Sequence, residues 1–321
     1  MSMSIPKMMK AEVIEQFGPP EDVMHTASIP VPEVGDDEVL IDVRAAGVGV
    51  WEPNLSKGEL GAEAGLPRVL GSDGSGTIVA KGSKVTRFAL GDSVYGSGFM
   101  NPKGGFFAEY TVLPADEIAK VPQGISLDRA GVLAIDGLTA LAGLDNLDLE
   151  RGDTLLIFGA SGGVGHLAVS LAKRLGARVL AVASGADGVE LARRVGADEA
   201  IDGRSPDVVE RVRALAPKGV DAALILASLP SERAGELLGL VKEGGLVAHP
   251  NGVELGSRGG RGITVKAYDG HHGRSALERL NGLIAMGPFH VEVSRTYALE
   301  ETPQALVDVT KHHLGKLAVT V

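Results

Sequence analysis

The sequence predicts an α/β chain of two domains, a β-rich domain followed by a doubly wound parallel sheet. Three observations carry this expectation. The chain has 321 residues, against roughly 150 for an average domain. Up to about Pro122 it runs in short extended stretches separated by Gly, Pro and Asp turns. Beyond Pro122, apolar strand-like runs alternate with amphipathic helical ones, the grammar of a parallel sheet with right-handed crossovers.

In the first half, Glu38 to Ala45 places Val39, Ile41, Val43 and Ala45 on one face and Glu38, Asp42 and Arg44 on the other. Leu40 alone breaks the alternation. Further strands are expected at Gly76 to Ala80, Ser93 to Tyr95 and Phe106 to Leu113. In the second half, strands are expected at Thr154 to Phe158, Arg178 to Ala183, Glu199 to Ile201, Asp221 to Leu226, Leu246 to His249 and Ile263 to Lys266. The first helix after them is the clearest. Val164, Leu167, Ala168, Leu171, Ala172 and Leu175 follow the i, i+3, i+4, i+7 progression, which turns His166, Ser170, Lys173 and Arg174 outward. Gly176 then falls at the position after a helix that favours glycine. The expected domain bounds are 1–125, 126–266 and a tail, 267–321, that returns to the first domain.

Composition narrows the function. Lys and Arg number 31 against 41 Asp and Glu, a formal charge of −10, which argues against a nucleic-acid binder held by phosphate contacts. The chain has no cysteine, so disulfides, thiolate nucleophiles and sulfur-ligated zinc are all excluded. Lys7, Lys10, Glu12 and Glu15 interrupt the stretch where a signal peptide needs an apolar core, and a cytoplasmic protein with no membrane partner is expected. The uncharged run Thr154 to Ala172 is long enough to span a bilayer, but its four glycines and His166 read as strand, turn and helix.

The motif Phe158-Gly159-Ala160-Ser161-Gly162-Gly163-Val164-Gly165 sits between that strand and that helix. Ala160, Gly162 and Gly165 stand at the three fingerprint positions of a dinucleotide-binding turn. There Gly162 lets backbone approach a pyrophosphate, Gly165 lets the helix pack on the strand, and the free N–H groups of the helix start face the anion. About 20 residues on, where an acidic side chain would bind the ribose 2′-hydroxyl of NAD, the chain has Ser184. A serine there repels no 2′-phosphate and can donate to one, so NADPH is the expected cofactor, with NADH as the alternative should Asp187 read the ribose. Arg193, Arg194 and Arg204 are the candidate phosphate partners, Arg204 first among them.

Residues 10–18 (KAEVIEQFG), 68–96 (RVLGSDGSGTIVAKGSKVTRFALGDSVYG), 104–114 (GGFFAEYTVLP), 137–141 (GLTAL) and 158–165 together resemble the medium-chain dehydrogenase/reductase superfamily. The likeness is to its zinc-independent branch, the NADPH:quinone oxidoreductases and zeta-crystallin. It implies a GroES-like β-rich catalytic domain plus a Rossmann domain, a homo-oligomer such as a dimer, and a small-molecule acceptor. The implied reaction is NADPH-dependent reduction of a quinone or an activated carbon–carbon double bond. An enoyl-thioester reductase or a non-catalytic, crystallin-like NADPH binder is the alternative. Where the zinc-dependent branch has a Gly-His-Glu ligand motif, this chain has Gly71-Ser72-Asp73, so no zinc is expected. The segment Gly47 to Asn54 departs from the quinone-reductase pattern, and Trp51, Glu52 and Asn54 are expected to shape the acceptor pocket.

The resemblance also assigns Thr139 to the cofactor side, and His249 and Asn251 to the loop that reaches the nicotinamide ribose and amide. Asp136, inside the apolar stretch Val132 to Ala140, is the most unusual ionisable residue, because the family that the chain resembles tends to have a small neutral residue before Gly-Leu-Thr. Burial there would raise its pKa towards that of a proton donor, and a hydrogen-bonded structural Asp is the alternative. The pairs His271-His272 and His312-His313 read as solvated, since adjacent side chains diverge. Tyr95 and Tyr110 read as packing residues.

Overall fold

The computed structural model describes residues 5–62, 65–229, 231–256 and 262–321. The chain divides into two compact units, one of Met1–Ile135, His272–Arg279 and Val293–Val321, the other of Asp136–His271 and Leu280–Glu292.

The first unit is β-rich. Its strands before residue 136 are β1 (Met8–Ile14), β2 (Met24–Pro30), β3 (Glu38–Val48), β4 (Arg68–Val69), β5 (Asp73–Lys81), β6 (Ser93–Ser97), β7 (Tyr110–Pro114) and β8 (Ile118–Lys120). The alternation read in Glu38 to Ala45 holds, with Val39, Ile41, Val43 and Ala45 all buried. Leu40, opposite Ala80 and Val112 on the neighbouring β5 and β7, is buried too, so the second face of β3 is also covered at that point. An antiparallel sheet commonly keeps one wet face, and here it does not.

One expected strand is corrected. Phe106 to Glu109 do not belong to β7. Phe106 N–H and Phe107 N–H instead donate to Gly71 O and Leu70 O, at 2.9 and 3.0 Å, and Phe107 O accepts from Glu12 N–H. The two aromatic rings plug the core beside Ile41, Leu113 and Tyr297, and that packing overrides the strand propensity of the run.

The second unit holds β9 (Thr154–Phe158), β10 (Arg178–Ala183), β11 (Glu199–Asp202), β12 (Val220–Ile225), β13 (Val241–Pro250) and β14 (Thr264–Tyr268). All neighbours are parallel and the order is β11-β10-β9-β12-β13-β14. This is the dinucleotide-binding order, and the direction of strand addition reverses between β9 and β12. Its buried strands are short apolar runs, which is why the bounds of β9 and β10 are those expected. β13 is longer than expected and includes His249, while β14 starts one residue later and continues to Tyr268. Leu156, Leu180, Val182, Ala223 and Val247 form the centre of this core.

The chain then contributes β15 (Val293–Ala298) and β16 (Lys316–Thr320) to the first unit. They extend its seven-stranded sheet, ordered β15-β16-β3-β5-β6-β8 with β7 also on β3. The pairing of β16 with β3 sets Leu317 opposite Val48 and Ala318 opposite Gly47. Among the described residues no helix is long and apolar enough to cross a membrane.

Candidate cofactor and acceptor sites

In the second unit the glycine turn connects β9 to the helix Gly163–Leu175. Gly159 has φ +85°, a left-handed conformation in which glycine is not strained. The first helical hydrogen bond visible at this end runs from His166 N–H to Gly162 O, 3.1 Å. The amides of Gly163, Val164 and Gly165 precede it and are the free donors of the helix start. The two motif glycines have different jobs. A Cβ at Gly165 would lie 2.1 Å from Gly159 O, so that glycine is required for the helix to seat on the turn. A Cβ at Gly162 would meet nothing closer than Gly159 O at 3.6 Å. The open space there fits a pyrophosphate laid against the backbone.

Ser161 ties the turn to the next strand. Its Oγ accepts from Ser184 N–H at 3.3 Å, and a Cβ at Gly188 would come within 2.9 Å of that Oγ. Ser184 precedes the helix Gly185–Arg194, and its Oγ accepts from Arg204 Nε at 3.0 Å. Asp202, at the end of β11, holds both sides of this pair. Its Oδ1 accepts from Gly185 N–H at 2.9 Å and from Arg204 N–H at 3.0 Å, and these two amide bonds keep its carboxyl below the usual range. The structure thus brings together Ser161, Ser184 and Arg204, and adds Asp202, which the sequence reading did not single out. Arg194 is turned elsewhere, 3.1 Å from Glu292 Oε2.

The remaining expected cofactor residues are placed as follows. His249 is the penultimate residue of β13, at the same carboxyl edge of the sheet as the glycine turn, with Nδ1 3.2 Å from Pro250 O. Asn251 follows it and donates from Nδ2 to Asp269 Oδ1 at 2.8 Å. Thr139, in the helix Ala134–Asp145, has its Oγ1 where a Cβ at Gly270 would sit 2.8 Å away. Asp136, in the first turn of that helix, is 4 % exposed and lies within electrostatic reach of His166.

His166 and Ser170 are corrected from outward to buried. The amphipathic period assumes one covered face, whereas this helix is covered on a second one. Ser170 Oγ donates to Val195 O at 3.0 Å. His166 is 1 % exposed; its Nδ1 lies 2.9 Å from Gly162 O and its Nε2 accepts from Glu292 N–H at 3.1 Å. Those partners require the neutral Nδ1–H tautomer. Burial, ahead of every other influence, pushes the imidazole pKa down. His271 is likewise not free in solvent, since its Nε2 lies 2.7 Å from Asp145 Oδ2.

In the first unit the segment after β3 forms the helix Glu52–Lys57, with Pro53 in its first turn and Gly58 at φ +72° ending it. Those are the helix-start and helix-stop residues expected on steric grounds. Glu52 is fully buried. Its Oε1 is 2.8 Å from Ser72 N and 2.5 Å from Ser72 Oγ, while Oε2 is buried with no hydrogen-bond partner. Burial pushes the Glu52 pKa up to about 7, against the opposing hydrogen bonds from Ser72, and Asp73 adds to the rise. Trp51 Nε1–H donates to Ser72 Oγ at 2.9 Å. Asn54 is exposed.

Beside this group lies a buried ion pair, Lys316 Nζ to Asp73 Oδ2 at 3.1 Å. The Trp51 ring covers the ammonium at 5.3 Å. Ser72 also borders a small cleft, no larger than a water, together with Leu55, Arg68, Gly98, Met100 and Asn101. Of the three expected pocket residues, Trp51 and Glu52 therefore converge on Ser72, while Asn54 does not join them. Tyr95 is fully buried, as a packing residue should be, and Tyr110 packs on a small cluster with Met9 and Val13.

Comparison with known proteins agrees with this architecture. Residues 35–123 match the alcohol dehydrogenase GroES-like domain, and residues 163–249 match the zinc-binding dehydrogenase family. The quinone oxidoreductase of Pseudomonas aeruginosa is 32% identical over 306 residues, covering 90% of this chain and 92% of the relative. Alcohol dehydrogenase 1 of Emericella nidulans is 31% identical over 257 residues, 72% of each chain. The crystal structure of an NAD-dependent alcohol dehydrogenase superposes with a TM-score of 0.89 at 27% identity, covering 98% of this chain and 100% of that one. With this fold, this strand order and these relatives, the chain belongs to the medium-chain dehydrogenase/reductase superfamily of oxidoreductases.

Proposed function

We propose that the protein reduces quinones or activated carbon–carbon double bonds with NADPH and without zinc. The observation that carries this reading is the donor set around Ser72. At the place of the Gly-His-Glu ligand motif stand Gly71, Ser72 and Asp73. The Asp73 carboxylate already faces the ammonium of Lys316 at 3.1 Å, and Ser72 is engaged by Glu52 and Trp51. A zinc site needs three anionic or imidazole ligands, and this set does not fit one. Deprotonating an alcohol at neutral pH calls for a strong Lewis acid, whereas a quinone or enone supplies its own electron-withdrawing carbonyl.

The cofactor supplies a hydride when bound. The chain's part is to hold and orient it. Gly163 to Gly165 offer amides to the pyrophosphate, and Ser184 with Arg204 offers a hydroxyl and a guanidinium to a 2′-phosphate. The sheet order and the 32% identity to a bacterial quinone oxidoreductase support this assignment.

A cofactor-oxidation screen across quinones, enones, enoyl thioesters and primary alcohols tests it. NADPH should be consumed steadily with 1,4-benzoquinone, 9,10-phenanthrenequinone or a simple enone, and activity should survive chelation. Robust alcohol oxidation with quinones and enones inert, or zinc whose removal abolishes turnover, would overturn the reading. Cofactor binding with no consumption by any acceptor would point to a non-catalytic binder.

A further inference from the structure

We propose that His166 is a positioning residue of the cofactor turn: its imidazole aims the Gly163 amide at the pyrophosphate, and the segment 287–292 holds that imidazole in the one tautomer able to do so. This rests on the reading above in which the glycine turn takes the dinucleotide. Every residue involved lies in the second unit.

The geometry begins at one peptide. Gly162 O accepts from His166 N–H at 3.1 Å and also from the imidazole Nδ1–H at 2.9 Å. The first bond is the ordinary one of a helix start. The second is extra, and the side chain at 166 supplies it. Gly162 C=O and Gly163 N–H belong to one planar trans peptide, so they point in opposite directions. Anchoring the carbonyl along the helix therefore fixes the aim of the Gly163 amide out of the helix start. That restraint matters because the peptide joins two glycines, the residues with the freest backbone. A Cβ at Gly162 would meet nothing closer than 3.6 Å, so hydrogen bonds rather than packing order this peptide.

The imidazole makes its extra bond only with the proton on Nδ1. A ring protonated on Nε2 alone would set a nitrogen lone pair against the Gly162 oxygen. Glu292 N–H decides between the two forms. It donates to Nε2 at 3.1 Å, which leaves Nδ1 to carry the proton. Burial keeps the ring neutral; the nearby His290 adds to that effect, while Asp136 and the Glu292 carboxyl oppose it.

The amide that makes this choice is itself held in place. Arg174, in the last turn of the helix that carries His166, donates to Gly287 O and Pro288 O at 3.0 and 2.8 Å. Its guanidinium lies 5.3 Å from the centre of the Phe289 ring, a cation–π contact. Arg194, at the end of the next helix, reaches Glu292 Oε2 at 3.1 Å, and His290 Nε2 donates to the same oxygen. These anchors on two helices seat the segment so that one backbone N–H meets one ring nitrogen. The setting of the turn thus depends on contacts as far along the helix as Arg174.

The test is calorimetric titration of the full chain with NADPH, which reads binding and not turnover. His166→Phe keeps a ring and loses both bonds, and it should weaken NADPH by about 10-fold, the scale of one hydrogen bond. His166→Asn, whose Nδ2–H can still donate to Gly162 O, should recover affinity to within about 3-fold of wild type. Arg174→Met unfastens the segment and should weaken NADPH by about 3-fold in the wild-type background but not in His166→Asn, where no tautomer is left to set. Nitrogen NMR of the histidine-labelled protein without cofactor should show His166 as the Nδ1–H tautomer, its signals identified by their loss in His166→Asn. Arg174→Met should move that ring towards Nε2–H. The Arg174→Met comparison and the NMR carry the test should His166→Phe not fold. Wild-type affinity in a folded His166→Phe, a His166→Asn variant as weak as it, an Nε2–H tautomer in the wild type, or an Arg174→Met effect that is the same in both backgrounds, nil included, would each overturn the assignment and leave the cofactor reading standing. A wild-type protein that binds neither NADPH nor NADH would overturn that reading and the positioning role with it.

Discussion

Lys316 and Asp73 meet as a buried ion pair across 243 residues of sequence, Nζ 3.1 Å from Oδ2, with side chains 4 % and 0 % exposed. The pairing of β16 with β3, which lies beside β5, brings them together. Gly47 on β3 makes the space, because a Cβ there would lie 2.5 Å from Asp73 Oδ1. A pair this deep gains little over an apolar one, since desolvation offsets the attraction. Breaking it, however, strands a charge. Lys316→Met should therefore cost about 3–5 kcal/mol in urea unfolding, and adding Asp73→Leu should return a large part of that loss. Equal midpoints for wild type and Lys316→Met would show that the pair is not closed in solution.

The two motif glycines separate folding from cofactor binding. Gly162→Val places its side chain in open space, 3.6 Å from the nearest atom, so the variant should fold and lose dinucleotide binding by calorimetry. Gly165→Ala drives a methyl to 2.1 Å from Gly159 O and should lower the melting temperature even without cofactor. Unchanged NADPH affinity in a folded Gly162→Val would make the turn purely structural.

Much of the second unit was legible because its strands are buried on both faces, so that each reads as a bounded apolar run. The Ser184 and Arg204 sites were legible for a related reason: in a parallel sheet the ligand edge is the carboxyl end of each strand, a position countable along the chain. Ser72 entered the reading only as a missing ligand. That it joins Glu52 to Trp51 depends on how β5 and the helix Glu52–Lys57 approach, which no local pattern encodes. Lys316 carried no signal at all, being one lysine at the start of a terminal strand. His166 was misread because helical periodicity reports one buried face, and the segment that covers the other, ending at Glu292, lies 126 residues away.

Cofactor choice should turn on Ser184. Its Oγ lies 3.0 Å from Arg204 Nε, so Ser184→Asp would pair with the guanidinium and repel a 2′-phosphate. Steady-state kinetics should show preference moving from NADPH towards NADH in Ser184→Asp, and Arg204→Ala should weaken NADPH more than NADH. A wild type that uses NADH at least as well as NADPH would make Asp187 the ribose reader instead.

Two buried titratable groups should give stability opposite slopes with pH. His166 is held neutral, with a folded pKa below the ordinary 6.5. As pH falls through 6.5 the unfolded chain gains a proton that the folded one refuses, so stability is full above that pH and falls below it, by up to about 1.4 kcal/mol per pH unit. Glu52 is raised from 4.5 to about 7, so the unfolded chain loses its proton first. Its contribution is full below 4.5 and declines as pH rises to about 7, by about 3 kcal/mol in all. The two partly cancel in the wild type between pH 4.5 and 6.5. Substitution should separate them: relative to wild type, Glu52→Gln should gain stability as pH rises to 7, and His166→Gln should lose less as pH falls below 6.5. Urea midpoints at half-unit steps read both differences, and parallel curves for all three proteins would mean that neither group is buried as described.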